Sequence, residues 1–279
     1  MAEAPAQDAL QDTLSSVKHI IAVASGKGGV GKSTTSVNLA LALAKQGAKV
    51  GMVDADVYGP SLPMMLGVSD GTRPEVLEQK FFVPVEAQGI KSMSMGYLAT
   101  EQTPMVWRGP MASGALLQIL TQTMWGDLDY LVVDMPPGTG DIQLTLAQKA
   151  QLSGAVIVTT PQDIALLDAR KAIEMFRKVN IPILGIVENM AVHSCSQCGH
   201  QEHIFGEGGG QKVAAEYGIE VLGALPLSLD IREQADSGKP SVMSDPTGTA
   251  ATAYGQIASK VAGILADKAS PGGPEIVIE

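Results

Sequence analysis

A glycine-rich segment directly after the first apolar run constrains the fold of this chain more than any other feature. It fits the pattern G-x-x-x-x-G-K-[ST], and its residues are Gly26, Lys27, Gly28, Gly29, Val30, Gly31, Lys32, Ser33 and Thr34. Glycines allow the backbone N–H groups to turn towards a polyphosphate, because no Cβ blocks the approach. An apolar run over residues 19–25 precedes the segment, and a helical pattern over 32–46 follows it. We therefore predict a phosphate-binding loop between a strand and a helix.

Two side chains of this loop have predicted roles in nucleotide binding. Lys32 is expected to reach the β- and γ-phosphates, and the Ser33 hydroxyl to ligate Mg²⁺. The N-terminus of the following helix adds partial positive charge at the same place. No Asn-Lys-x-Asp guanine motif is present, so the expected ligands are ATP and Mg²⁺.

The rest of the chain alternates short apolar runs with helical patterns. Several runs are apolar throughout, which is typical of strands covered on both faces of a parallel sheet. We predict an α/β fold with a doubly wound, mostly parallel sheet of the P-loop NTPase type. One domain is expected over residues 19–268, between a flexible N-terminal segment (1–18) and a flexible tail (269–279). The predicted strands are 19–25, 49–54, 130–134, 154–160, 183–188 and 220–225, and the predicted helices are 32–46, 113–124, 142–151, 164–178, 209–217 and 247–267.

Carboxylates follow two of the predicted strands. In a parallel sheet the carboxyl ends of the strands lie at the edge where the phosphate-binding loop sits. Asp134 ends an apolar run and is expected to hold Mg²⁺ directly or through water. Asp56, in the string Asp54-Ala55-Asp56, is a candidate for orienting the attacking water. The glycines around Thr139 form a predicted hinge that senses the γ-phosphate.

Composition excludes several classes of function. Lys and Arg number 19 against 29 Asp and Glu, which gives a net charge of −10. This balance argues against nonspecific binding of duplex nucleic acid, which needs cations to neutralise phosphates. No apolar stretch approaches the roughly 20 residues that span a bilayer, and the N-terminus lacks the pattern of a signal peptide. We expect a cytoplasmic protein with reduced thiols and without a nucleic-acid or membrane partner.

The two cysteines, Cys195 and Cys198, lie three positions apart among three of the four histidines. One interpretation is half of a metal or cluster site, which a symmetric dimer would complete. A second is a zinc site within one chain that also uses two of His193, His200 and His203. A third is a redox dithiol, and a fourth is a surface turn with incidental thiols. The spacing alone leaves all four open, in a predicted hairpin near residues 191–206.

The loop resembles the deviant form found in the MinD/ParA/nitrogenase iron protein branch of P-loop ATPases. The feature that carries this resemblance is Lys27, in the string KGGVGKS. The resemblance implies that Lys27 crosses a dimer interface to the partner's nucleotide and that Asp56 positions water. Two subunits would then enclose two ATP molecules face to face.

Further motifs resemble the Mrp/ApbC family of ATP-binding iron–sulfur cluster carriers. They are the proline- and glycine-rich string after Asp134, the string Trp107-Arg108-Gly109-Pro110-Met111, and C-x-x-C after Glu188-Asn189-Met190. The resemblance covers about residues 17–268. It implies a homodimer in which Cys195 and Cys198 of each subunit hold a bridging [4Fe–4S] cluster, with zinc as an alternative metal in isolated protein. Apo iron–sulfur clients and a scaffold donor would be the partners. We also expect slow hydrolysis, since such a protein acts mainly as a switch. Only 18 residues precede the first predicted strand, so we expect a member without the small N-terminal domain of many bacterial relatives.

Three residues are candidates for contact with the purine base. By the same resemblance, Asn189 would hydrogen-bond the base, and Pro226 and Arg232 fall where the family's purine-lining loop lies. Trp107 and Arg108 are candidates for contact with the dimer partner. The alternative hypothesis for the whole chain is a spatial-organising ATPase of the ParA/MinD type with a structural zinc site.

Overall fold

The computed structural model describes residues 13–57, 59–98, 109–195 and 197–269. The strands are β1 Val17–Ala24, β2 Val50–Asp54, β3 Val76–Leu77, β4 Phe81–Phe82, β5 Val85–Ala87, β6 Ile90–Ser94, β7 Leu128–Asp134, β8 Gly154–Thr159, β9 Ile183–Glu188, β10 His193–Ser194, β11 Gln201–Glu202 and β12 Val221–Ala224. The helices are α1 Lys32–Lys45, α2 Leu62–Met65, α3 Gly109–Gln122, α4 Asp141–Lys149, α5 Asp163–Lys178, α6 Gly209–Tyr217, α7 Leu229–Asp236, α8 Ser241–Ser244 and α9 Thr249–Ala269.

A central sheet in the order β12-β9-β8-β1-β7-β2-β6-β5 organises these elements. Neighbouring strands pair in parallel, except that β5 pairs antiparallel with β6 at one edge. Every residue of β2 and of β8 is buried, because helices cover both faces of the sheet. This burial explains the uninterrupted apolar runs in the sequence. The predicted doubly wound, mostly parallel α/β fold is confirmed.

Alternate side chains along β1 supply two separate cores. Ile20 and Ala22 join the core on one face of the sheet, together with Phe176 from α5. Ile21 and Val23 join the core on the other face, together with residues of α1 and α9. Because successive side chains of a strand point to opposite faces of the sheet, β1 packs against both layers of helices. In the described residues, no helix is long and apolar enough to cross a membrane.

Several boundaries differ from those predicted. Strand β1 begins at Val17, so Val17 and Lys18 belong to the strand and not to the N-terminal segment predicted over 1–18. Helix α3 begins at Gly109, four residues before its predicted start. Residues 76–94 form four strands of two to five residues that the sequence did not predict, since such short runs show little periodicity. The β5–β6 turn places Gln88 at φ 53° and Gly89 at φ 83°, a left-handed pair that suits a tight hairpin.

The topology brings several loops to the carboxyl edge of the sheet. The glycine-rich loop follows β1, Asp54 ends β2, Asp134 ends β7, and Asn189 follows β9. Across paired strands β2 and β7, Asp54 and Asp134 occupy directly opposite positions. The candidate site is therefore assembled from the ends of four strands that are distant in sequence.

Candidate functional site

The glycine-rich loop fits closely between helix α5 and Asn189. A Cβ added to Gly26 would lie 2.0 Å from the backbone oxygen of Asp168. Gly31 has a φ of 82°, and a Cβ there would lie 2.1 Å from Nδ2 of Asn189. Only glycine fits at these two positions, the second of which also needs a left-handed backbone. The loop is therefore held from both sides in a fixed shape, with α1 beginning directly after it.

Lys32 and Asp134 form a buried ion pair below the loop. Lys32 Nζ lies 2.7 Å from Asp134 Oδ1, and the two side chains are 7% and 2% exposed. Ser36 Oγ donates to the same carboxylate oxygen at 2.7 Å, and Lys32 Nζ donates to Ser33 Oγ at 3.2 Å. Ser33 and Asp134 thus both contact the ammonium group of Lys32. Hydroxyl and carboxylate oxygens are the donors that Mg²⁺ prefers, so the residues fit the predicted metal.

Asp54 is a buried member of the site that the sequence analysis did not select. Its carboxylate accepts backbone N–H groups from Asp56, Ser61 and Leu62 and the hydroxyl of Ser94, at 3.0–3.1 Å. Burial, followed by the charge of Asp134, raises the pKa of Asp54 to about 7, against the backbone donors that lower it. Asp54 holds the segment that leads from β2 into α2. The Asp-x-Asp string at a strand end was the available signal for it.

Lys27 and Asp56 lie at this edge and are only partly buried. In contrast to Lys32, Lys27 makes no ion pair within the described ranges. Asp56 follows β2 by two residues, and its N–H donates to Asp54. The structure therefore places the side chain of Lys27 where a second molecule could reach it.

The loop after β7 is fastened by a glutamine that was not predicted. Gln143 on α4 is buried, and its Nε2 donates to the carbonyls of Pro136 and Pro137 at 3.3 and 2.5 Å. The N–H of Gly138 donates to the Ser25 carbonyl beside the phosphate-binding loop, and Gly138 has a φ of 95°. The predicted hinge around Thr139 is thus attached to both α4 and the end of β1.

The candidate base-binding residues line one cleft beside Gly31 and Thr34. The cleft has a volume of about 210 Å³ and includes Asn189, Pro226 and Arg232. Nδ2 of Asn189 donates to the Val30 carbonyl at 2.8 Å. Arg232 is exposed and pairs with Glu233 and Asp236. Trp107 and Arg108, the candidates for partner contact, lie outside the described residues.

The two cysteines lie at the tip of the thiol hairpin, which we define as residues 191–203. Strands β10 and β11 pair antiparallel, the Cys195 N–H donates to the His200 carbonyl, and the Gly199 N–H donates to the Cys195 carbonyl. Hydrogen bonds from the backbone of Cys198, then of Gln197, lower the pKa of the Cys195 thiol. Cys195 is partly exposed and Cys198 is exposed. This turn stabilises a thiolate at the surface.

The histidines near the thiols face other groups. Nδ1–H of His203 donates to the Ala191 carbonyl at 2.7 Å, and Nδ1–H of His193 donates to the Leu227 carbonyl at 3.2 Å. Within the part of the chain that the structure describes, no group of three or more His, Cys, Asp or Glu side chains could hold a metal ion. The described geometry does not support the zinc site within one chain, because no third side chain of these types joins the two cysteines there.

Comparisons with known proteins agree with this geometry. The model of the ParA family, described as NUBPL iron-transfer P-loop NTPase, matches residues 16–262. The chain is 68% identical over 245 residues to an iron–sulfur cluster carrier protein of Pseudomonas fragi, across 88% of this chain and 85% of the relative. A nucleotide-binding protein of Archaeoglobus fulgidus, solved with ADP and cobalt, is 41% identical with a TM-score of 0.74, across 83% of this chain and 91% of that one. The cell division ATPase MinD of Pyrococcus furiosus, 23% identical with a TM-score of 0.67 across 88% of this chain and 99% of that one, shows a similar fold.

Proposed function

The chain belongs to the ParA family of P-loop NTPases of the NUBPL iron-transfer type, and on that premise we propose that it is a homodimeric, ATP-dependent iron–sulfur cluster carrier. A [4Fe–4S] cluster would be its cargo, bridged between two subunits and passed to apoproteins. The carrier function agrees with the name of the 68% identical relative, an iron–sulfur cluster carrier protein. Its clients would be apoproteins that lack a cluster, and its donor would be a scaffold protein that supplies one.

The thiol pair is the observation that carries this proposal. A [4Fe–4S] cluster in its usual form takes four protein thiolates, and one chain supplies two. Cys198 is exposed and Cys195 is partly exposed, the pKa of Cys195 is lowered, and no third side chain joins the pair in the described ranges. A two-fold axis that passes near the hairpin tip would double two thiolates to four. A symmetric dimer therefore completes the ligand set without any further residue type.

The nucleotide site supplies the proposed switch. ATP would draw Lys32 from Asp134 to its phosphates, which leaves the Asp134 carboxylate and the Ser33 hydroxyl to hold Mg²⁺. When bound, Mg²⁺ would neutralise charge on the phosphates. Lys27 would reach across the dimer to the partner's nucleotide, and Asp56 would orient the attacking water. Asn189, Pro226 and Arg232 would surround the base. Nucleotide binding and dimer closure would drive the switch. Slow hydrolysis would then set how long the dimer stays closed before it reopens.

Anaerobic reconstitution tests the carrier proposal. Iron, acid-labile sulfide and the visible absorption spectrum are measured after reconstitution of the wild type and of Cys195→Ala. We expect about four iron and four sulfide per two wild-type chains and a large loss in the variant, because four protein thiolates are the usual ligand set of such a cluster. His200→Ala is the matched control, since its exposed side chain makes no bond that closes the hairpin base and should not be needed for cluster binding.

Two results would contradict the proposal. The first is a wild type that gains no more cluster than Cys195→Ala. The second is a metal content of one zinc per chain that is lost in His203→Ala, which would identify a mononuclear site within one subunit.

A further inference from the structure

Asn189 contacts the phosphate-binding loop on one side and begins the path to the thiols on the other. Its Nδ2 donates to the Val30 carbonyl, and it leaves no room for a Cβ on Gly31. Its own N–H donates to Thr159 at the end of β8, at 2.7 Å. Since packed groups in contact move together, a displacement of the 30–31 peptide must shift the Asn189 side chain or break its hydrogen bond.

The backbone from Asn189 to the thiol hairpin contains one unusual residue. Met190 has a φ of 56°, in the left-handed region that residues other than glycine seldom adopt. Strand β9 ends at Glu188, and the hairpin begins at Ala191, so Met190 is the turn between them. Five residues of chain thus lie between the loop contact at Asn189 and Cys195.

The base of the hairpin is fastened on both sides. The Ala191 carbonyl accepts Nδ1–H of His203, which closes the two arms of the hairpin against each other. The Ala191 N–H donates to the Leu225 carbonyl, and the Leu227 N–H donates to the Val192 carbonyl. The hairpin is therefore bonded to the segment after β12, which also lines the base cleft at Pro226. With these bonds intact the hairpin moves as one body.

The start of helix α6, which follows the thiol hairpin in the chain, is bonded to the end of β9, which precedes the hairpin. The Gly210 N–H donates to the carboxylate of Glu188, the residue before Asn189. The chain that leaves the hairpin at His203 thus returns to the end of β9 from which the hairpin departs. These bonds join the hairpin, the end of β9 and the segment after β12 into one connected set, so a shift at Asn189 is passed on to the thiols.

We propose that Asn189 is a positioning residue that transmits the state of the phosphate-binding loop to Cys195 and Cys198, through Met190 and the His203–Ala191 bond. Nucleotide binding changes the orientation of the hairpin within each subunit, and with it the exposure of the thiols. This inference deepens the proposed function and rests on it in assigning the thiols as the cargo site. The coupling itself needs no cluster, so it can be measured when no cluster is present.

The test follows thiol alkylation in the reduced full-length protein. The rates at which iodoacetamide modifies Cys195 and Cys198 are resolved by mass spectrometry, with and without a saturating, slowly hydrolysed ATP analogue and Mg²⁺. We expect the analogue to change the rate at Cys195 by about 5-fold or more in the wild type, the lower range of coupling between sites. Asn189→Ala and His203→Ala should both reduce this ratio to near 1.

Three controls separate coupling from other causes. Affinity for the analogue should stay at the wild-type value in His203→Ala, because His203 does not line the cleft. His200→Ala is the matched hairpin control, since its exposed side chain makes no bond that closes the hairpin base, and it should keep the wild-type ratio. Unfolding midpoints of all variants show whether Asn189→Ala folds, and His203→Ala tests the inference independently of it.

A wild-type ratio near 1 would overturn the inference, even in a protein that assembles its cluster. An unchanged ratio in His203→Ala would overturn it as well, because protection by dimer closure alone does not depend on that bond. Conversely, coupling that persists in a protein unable to assemble a cluster would uphold this inference while the proposed carrier function fails.

Discussion

Replacement of Gly31 by alanine tests the close fit between the phosphate-binding loop and Asn189. The new residue must keep a φ of 82°, and its Cβ would lie 2.1 Å from Asn189 Nδ2. A non-glycine residue in a sparsely populated backbone region costs about 1–3 kcal/mol. Displacement of Asn189 also breaks its bond to the Val30 carbonyl, worth about 0.5–1.5 kcal/mol. We expect Gly31→Ala to lower the free energy of unfolding by about 3 kcal/mol, and the midpoint by about 10 °C in a domain of this size.

The assay is urea and thermal unfolding followed by circular dichroism without nucleotide. Gly28→Ala is the matched control in the same loop, because a Cβ there meets no atom within 4 Å, and its change should stay within about 0.5 kcal/mol. The double variant Gly31→Ala/Asn189→Ala should be less destabilised than the sum of the single variants, since the second change removes the clash. Equal stability of Gly31→Ala and Gly28→Ala would refute the reasoning.

Three further predictions concern the charged groups of the site. Lys32→Ala should weaken Mg·ATP binding by about 10- to 100-fold in calorimetry, since a charge-assisted hydrogen bond is worth about 1.5–3 kcal/mol, whereas the exposed Lys18→Ala control should bind normally. Lys27→Ala should keep nucleotide affinity but slow hydrolysis by about 100-fold or more, as expected of a cation supplied in trans; an unchanged rate in a steady-state ATPase assay would exclude that role. Cys195 should reach half-maximal alkylation at a lower pH in the folded protein than in urea, because backbone N–H groups of the folded turn lower its pKa and keep the thiolate at lower pH; the same midpoint in both states would contradict the assigned cause.

The phosphate-binding loop was predictable because its motif fixes both the chemistry and the order of elements around it. Glycine spacing, Lys32 and Ser33 specify a strand, a loop and a helix N-terminus, and the structure has them in that order. The uninterrupted apolar strands likewise indicated a parallel sheet, since burial on both faces leaves no polar alternation. The edge at which Asp56, Asp134 and Asn189 meet then followed from the direction of parallel strands.

The features that were not predicted depend on contacts distant in sequence. The role of Asp54 arises from donors at Ser61, Leu62 and Ser94, and a sequence pattern cannot show which of two nearby aspartates turns inward. The sequence does not distinguish Gln143 from other helical glutamines, because its role depends on its hydrogen bond to the loop after β7. The histidine clustering suggested a zinc site within one chain, but among the described residues no three His, Cys, Asp or Glu side chains come together as possible metal ligands.

The number of clusters per chain tests the central claim most directly. Native mass spectrometry of the anaerobically reconstituted protein, with Mg·ATP present, gives the chain count, the metal and sulfide content and the bound nucleotide in one measurement. The account predicts a dimer with a single [4Fe–4S] cluster and two nucleotides. A monomer that carries its own complete metal site, or a dimer with one metal ion in each subunit, would contradict it.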